Sequence, residues 1–288
     1  MSTLKFGAHI FLWIDQWNEK NYFLMKQAKD LGLNVLEIAI GNDVFFDHEK
    51  IKLLGKDLGM EIVVSPGGIW PNEADISSDN PEHRAFGLEW HKTWIDNASK
   101  AGAIAYTGAI YGHPGRVEKR RPSQDEWNRA IENLIILAEF AETRNVKLVL
   151  EPMSHFRTNL VNTLSQVYKM LDDVHHDNLY ALIDTYHLAT EIREFSTGIK
   201  LLSDKIWGIH ACENDRGVPG NGLIPWKKIL EELKSLNFQG YFIFESYNST
   251  IQDGNFAYSR GMFHHVCPDG NEFVKQGASF IQNMWDSI

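Results

Sequence analysis

One local pattern recurs along this chain and restricts its fold more than any other feature. An amphipathic helical stretch ends at a Gly- or Asn-containing punctuation, and four to six apolar residues follow. Seven junctions carry it: KDLGLNVLEIAI, KDLGMEIVVS, SKAGAIAYTGA, ETRNVKLVLE, HHDNLYALID, LSDKIWGIH and KSLNFQGYFIFE. The segment LKFGAHIF supplies an eighth apolar run with no helix before it. A Gly or Asn suits the left-handed residue that closes a helix, and near-continuous apolar runs are those of parallel strands buried on both faces. The intervening helices carry their own signals. Ser123 with Glu126 reads as a capping box ahead of Trp127, Ile131, Leu134 and Ala138, and Thr163 with Gln166 as another ahead of Val167, Met170 and Leu171. Eight strand–helix alternations in 288 residues predict an α/β chain folded as a single (β/α)8 TIM barrel over residues 1–288. The rival is an open doubly wound sheet. That fold usually has a Gly-rich phosphate turn after its first strand, and LWIDQWNEKN contains no G-x-G-x-x-G. No Pro/Gly/Ser-rich linker divides the chain. The segment from Asn248 to Pro268 is long for a strand-to-helix connection and reads as a lid, an interface or a mobile surface loop.

Composition narrows the partners. With 28 Lys+Arg against 38 Asp+Glu the formal charge is −10, which argues against nucleic acid or an anionic membrane surface, since phosphate contacts need a basic face. A small charged substrate remains compatible. No window approaches the roughly 18 apolar residues of a membrane span, and the expectation is a cytoplasmic protein. The two cysteines, Cys212 and Cys267, form neither a disulfide framework nor a Cys-rich zinc pattern, and are expected to be plain reduced thiols.

In a barrel of this kind the reacting groups sit at the C-terminal ends of the strands. The last four apolar runs end at Glu151, Asp184, His210 and Glu245. Taken singly, each is as readily a helix cap or a solvated polar residue. Four in succession would converge at the barrel mouth, where three carboxylates need a shared cation. Oxygen-rich ligands with one imidazole suit Mn²⁺, Mg²⁺ or Co²⁺ better than a thiolate-preferring ion.

The chain resembles the xylose-isomerase-like barrel family, and within it the ketose 3-epimerases acting on D-tagatose and D-psicose (allulose). The resemblance runs nearly end to end, through FGAHIFLW, LEIAI, TGAIYG, EPMSHF, LIDTYHL, HACENDRGVPGNGLIPW and IFES. It implies a divalent ion, Mn²⁺ or Co²⁺, held by Glu151, Asp184, His210 and Glu245, and substrate contacts at His187 and Arg216. It also implies a homodimer or homotetramer.

The chemistry follows from the residue types. Polarising a ketose through its C2 carbonyl and C3 hydroxyl acidifies the C3 proton by stabilising a cis-enediolate. One of Glu151 and Glu245 would remove that proton and the other return it on the opposite face, inverting C3. His187 would hold a substrate oxygen or cap a helix starting near Leu188. Arg216 would do likewise or be an ordinary exposed arginine. Glu213 would fix Arg216 by an ion pair or be solvated. Trp13 and Trp226 would wall the sugar or belong to the core. His9 and Glu37 would point into the barrel mouth or find local partners.

One position departs from the family pattern. The sugar 3-epimerases carry a second glutamate six residues after the first metal-binding one, and here EPMSHFR places Arg157 there. A forked donor suits a carboxylate or phosphate better than sugar hydroxyl protons, so the expected substrate is an acidic or phosphorylated ketose or a larger keto-glycoside. His155 would serve as an extra acid or base if it faced the site. On a 3-keto-glycoside the same enediolate can expel the aglycone, which would make the protein a lyase or deglycosidase, with a hetero-subunit as a possible partner. A catalytically inactive sugar-binding barrel is the remote third reading.

Overall fold

The computed structural model describes residues 4–288. Eight parallel strands, β1 (Lys5–His9), β2 (Val35–Ile40), β3 (Glu61–Pro66), β4 (Ala103–Gly108), β5 (Lys147–Leu150), β6 (Leu179–Asp184), β7 (Ile206–Ala211) and β8 (Tyr241–Phe244), pair in chain order and close, β8 bonding to β1. Around them lie α1 (Phe23–Asp30), α2 (His48–Leu58), α3 (Pro81–Lys100), α4 (Gln124–Glu142), α5 (Leu164–Val174), the short α6 (Thr185–Leu188), α7 (Ser196–Leu202), α8 (Trp226–Ser235), the one-turn α9 (Asn255–Tyr258) and α10 (Gly270–Ser287). The expected TIM barrel is the fold observed.

Each of the seven junctions contains a left-handed residue. Gly32, Gly59, Gly102, Asn145 and Asn237 fill it at five, whereas His175 and Ser203 fill it at HHDN and LSDK. There the chain accepts an unfavourable conformation at a residue the Gly/Asn rule does not flag. Both expected capping boxes form: Ser123 and Glu126 open α4, and Thr163 and Gln166 open α5.

Alternation along the strands builds two cores. Outward-facing Leu36, Ile38 and Ile40 join the main core between strands and helices, while Val35, Val63, Ala105, Val149, Leu182 and Ile243 pack together inside the barrel. Gly7 completes the interior, where a Cβ would come within 2.2 Å of the Val35 side chain. Because side chains repeat every second residue, the next inward positions are His9, Glu37, Ser65, Thr107, Glu151, Asp184, His210 and Glu245. An apolar plug therefore supports a polar layer at the C-terminal rim, under the longer strand-to-helix connections.

Candidate active site

At the rim, Glu151, Asp184, His210 and Glu245 are buried and offer one ligand atom each within 4.8 Å of one another. His210 lies at the centre. Its Nδ1 is 3.1 Å from Glu151 Oε1, 3.2 Å from Glu245 Oε2 and 3.7 Å from Asp184 Oδ2. Its Nε2 donates to Glu37 Oε2 at 2.8 Å, and Glu37 Oε1 accepts from Thr107 Oγ1 at 2.8 Å. Glu37 thus points into the barrel, pins the imidazole and leaves Nδ1 for the cluster. His9 also faces the mouth: its Nδ1 accepts from the Phe11 amide at 3.2 Å, and Nε2 lies 3.4 Å from Ser65 Oγ.

Arg216 is buried, adopts a left-handed backbone (φ 66°), and donates from Nη1 to Asp184 Oδ2 and Glu245 Oε2, each at 2.8 Å. The guanidinium lies over the Tyr186 ring, 4.4 Å from its centroid, and Nη2 is 3.3 Å from His187 Nε2. Its Nε is buried with no protein partner among the described residues. Asp184 accepts from the His187 amide at 2.8 Å through its other oxygen. The cap of α6 is therefore Asp184, and the helix begins at Thr185, ahead of the expected start near Leu188. That leaves the His187 imidazole facing the cavity.

The electrostatics divide the two glutamates. Burial raises Glu151 to about 8, with the Asp184 and Glu245 charges adding to it. For Glu245 burial acts the same way but is outweighed by the Arg216 and His210 charges, which hold it down at about 2. Burial opposes a charge on His210 too, but Glu37, Glu245 and Glu151 overcome it and raise that group well above its ordinary value. Four carboxylates thus face two organic cations. Three carboxylate oxygens and an imidazole nitrogen converging within one coordination sphere are a donor set suited to a hard or borderline divalent ion.

A cavity of about 490 Å³ opens over this layer, within the usual range of small-molecule sites. His9, Glu151, His187, His210 and Glu245 line its floor, and Phe11, Trp70, Tyr186 and Tyr247 its walls. Arg157 and Arg260 line it as well, with Ser259, Gly261 and Met262 from the long segment after β8. That segment therefore packs along the pocket, with α9 inside it. A second cavity, about 520 Å³, lies at the opposite end of the barrel around Lys5, Glu61, Lys147, Trp207 and Tyr241, where no comparable acid–imidazole cluster exists among the described residues.

Three expected contacts are corrected. His155 turns away from the site: its side chain is 53% exposed and its Nδ1 is 2.6 Å from Glu191 Oε1, because the loop after β5 projects that residue outward. Trp13 spends its indole N–H on Asn271 Oδ1 at 2.8 Å and packs at the start of α10 instead of against the cavity. Glu213 is neither solvated nor paired with the Arg216 side chain. It is buried and accepts from the Gly220 amide at 2.6 Å, the Ile224 amide at 3.0 Å and Trp226 Nε1 at 2.7 Å, tying down the loop that carries Arg216. Trp226 is accordingly core. Both cysteines are free and buried. Sequence reasoning passed over Tyr186, Tyr247 and Arg260. Tyr247 follows a strand-end acid by two residues, a signal that was available; Arg260 lies in a loop with no periodicity to read.

The family model for the xylose isomerase-like TIM barrel matches residues 25–282. The chain belongs to that family. Within it the chain is 26% identical over 278 residues to an L-ribulose 3-epimerase of Mesorhizobium japonicum, covering 96% of this chain and 93% of that one. It is 27% identical to a D-psicose 3-epimerase of Ruminiclostridium cellulolyticum, covering 85% and 84% respectively. A solved L-ribulose 3-epimerase structure superposes with a TM-score of 0.90 at 27% identity, over 99% of this chain and 95% of that one. This family member is thus ketose 3-epimerase-like, and its named relatives are enzymes. Among the described residues no helix is long and apolar enough to cross a membrane.

Proposed function

We propose that this protein is a metal-dependent sugar epimerase that inverts C3 of a ketose, with Glu151 and Glu245 as the acid/base pair. The supporting observation is the convergence of Glu151, Asp184, His210 and Glu245 beneath a sugar-sized cavity, with Glu151 pushed up by burial and Glu245 held down by Arg216 and His210 before a cation binds. Two carboxylates from different strands at the floor of one cavity are suited to paired proton donor and acceptor roles.

Glu151, Asp184, His210 and Glu245 would hold the cation, with Mn²⁺ the favoured occupant and Co²⁺ or Mg²⁺ alternatives. When bound, it supplies Lewis-acid stabilisation of negative charge developing at the substrate's C2 oxygen. The remaining work falls to the chain. One glutamate takes the C3 proton, and the other delivers a proton to the opposite face, so C3 inverts. Arg216 works from beneath the cavity, where its Nη1 donates to Asp184 Oδ2 and Glu245 Oε2 and so orients both carboxylates. His187, held at about 4 chiefly by its burial, stays neutral at physiological pH and so orients oxygens by hydrogen bonding instead of adding charge. The Tyr186 and Tyr247 rings keep Arg216 in place from the side.

The test is solvent exchange. Metal-loaded protein in D₂O with free ketoses, ketose phosphates, keto-acids and 3-keto-glycosides should place deuterium at C3 with inversion, followed by NMR. Glu151→Gln should lower that exchange by roughly 10³-fold or more, as loss of a reacting group does. Metal content measured on the same sample separates lost chemistry from a lost ion. Release of an aglycone instead of inversion would move the reading to elimination, and bound metal without exchange on any ketose would overturn it.

A further inference from the structure

The upper part of the cavity carries positive charge for which the epimerisation chemistry has no use. Arg157, in the loop after β5, and Arg260, in the segment after β8, both line it. Their charges meet: Arg260 is held below its ordinary value first by burial and then, among other charges, by Arg157, which also acts on Tyr186, His187 and Tyr247. Among the described residues the arginines in ion pairs are Arg116, Arg120, Arg144 and Arg216. Arg157 and Arg260 are not among them. Arg260 is nevertheless fixed, lying 4.1 Å from the Phe256 ring centroid and 5.3 Å from that of Tyr247, with Nη1 donating to the Phe256 carbonyl at 3.3 Å. In a chain of net charge −10, two guanidinium groups on one cavity, neither in an ion pair among the described residues, suit an anionic ligand.

We propose that the natural substrate is a ketose bearing a terminal anion, phosphate or carboxylate, gripped by Arg157 and Arg260 while its keto end lies on the Glu151–Glu245 layer. The proposal rests on the epimerase reading and adds its substrate class. Position also orients the molecule: the keto end lies at the acid–imidazole floor, and the two arginines higher in the cavity receive the anionic end. A forked guanidinium pairs equally with phosphate and carboxylate oxygens, so the two sources share one chemistry.

The test uses matched substrates on the metal-loaded protein: D-ribulose against D-ribulose 5-phosphate, and D-fructose against D-fructose 6-phosphate and D-fructuronate. The quantity read is the ratio of kcat/KM for each anionic ketose over its neutral partner, by deuterium entry at C3. The ratio should exceed roughly 100 for phosphate or for carboxylate, and the larger value identifies the source. Arg157→Ala should lower it by roughly 10- to 100-fold, the size of a charge-assisted contact, mostly through KM. Arg157→Glu should lower it further and Arg157→Lys recover part. Because Arg157 is exposed, these variants should fold, which circular dichroism checks. A ratio near one in the wild type, or one insensitive to Arg157, overturns the proposal. Calorimetric binding of the ketose phosphates separates the two levels. Arg157-dependent binding without C3 exchange on any ketose would leave the anion site standing and sink the epimerase reading, whereas absence of both would sink both.

Discussion

Glu151 sets the pH behaviour of the cluster. Its burial raises it to about 8 before a cation binds, yet ligation requires the carboxylate. Below that value binding must expel the proton, and His210, also raised, must lose one too, so affinity should fall by tenfold or more per pH unit as pH drops from 8 to 6. Calorimetry of Mn²⁺ binding in buffers of different ionisation enthalpy should report between one and two protons released at pH 7, from Glu151 and from His210, which the surrounding carboxylates also keep protonated in the free site. A pH-independent affinity over that range would show that Glu151 is already ionised in the free site. His210 must likewise present an unprotonated Nδ1 to the ion, and Glu37, by accepting the Nε2 proton, specifies the correct tautomer. Glu37 is where the sequence ran short. Its place on β2 was readable, but whether it met a side chain or a backbone depended on His210, 173 positions away.

The elements were more legible than the loops, for a physical reason. Strands and helices announce themselves through short-range periodicity and caps, so the eight runs and the capping boxes at Ser123 and Thr163 could be read from neighbours in sequence. The strand-end positions of Glu151, Asp184, His210 and Glu245 followed from the same periodicity. Loop side chains answer to distant partners instead. His155 is claimed by Glu191, Trp13 by Asn271, and neither claim leaves a local trace. The loop after β7 is the strongest case, since one buried carboxylate organises it. Glu213→Ala strips the acceptor from three donors, Gly220 N, Ile224 N and Trp226 Nε1, and should cost about 3 kcal/mol in a urea titration. It should also raise KM, because Arg216 rides on that loop and its amide bonds to the Glu213 carbonyl at 3.0 Å. A loss below about 0.5 kcal/mol would mean the loop holds its shape without the carboxylate.

For the whole molecule, the cation and the fold are thermodynamically linked. A site assembled from four different strands or strand ends exists only when the barrel is closed, so an ion bound there stabilises the folded chain. At a free concentration of 100 times Kd the gain is about 2.7 kcal/mol, or an upward shift in Tm of roughly 5 °C for a chain of this size. Calorimetric melting with Mn²⁺ and with EDTA checks this. Identical Tm values in the two, repeated with Co²⁺ and Mg²⁺, would count against a cation in this cluster.

The apolar plug also bears on how the chain can change. Glu37, Glu151, Asp184, His210 and Glu245 each stand two positions beyond a residue buried inside the barrel, so the direction each takes is set first by its strand. Inserting or deleting one residue within β5, β6, β7 or β8 would turn that strand's ligand outward into the helix layer, even though no side chain had been replaced. Loops such as those carrying Arg157 and Arg260 carry no such penalty and can lengthen, shorten or exchange. Indels confined to the loops that carry Arg157 and Arg260 can therefore explore new substrates while the strand-borne acids and imidazole of the cluster keep their direction.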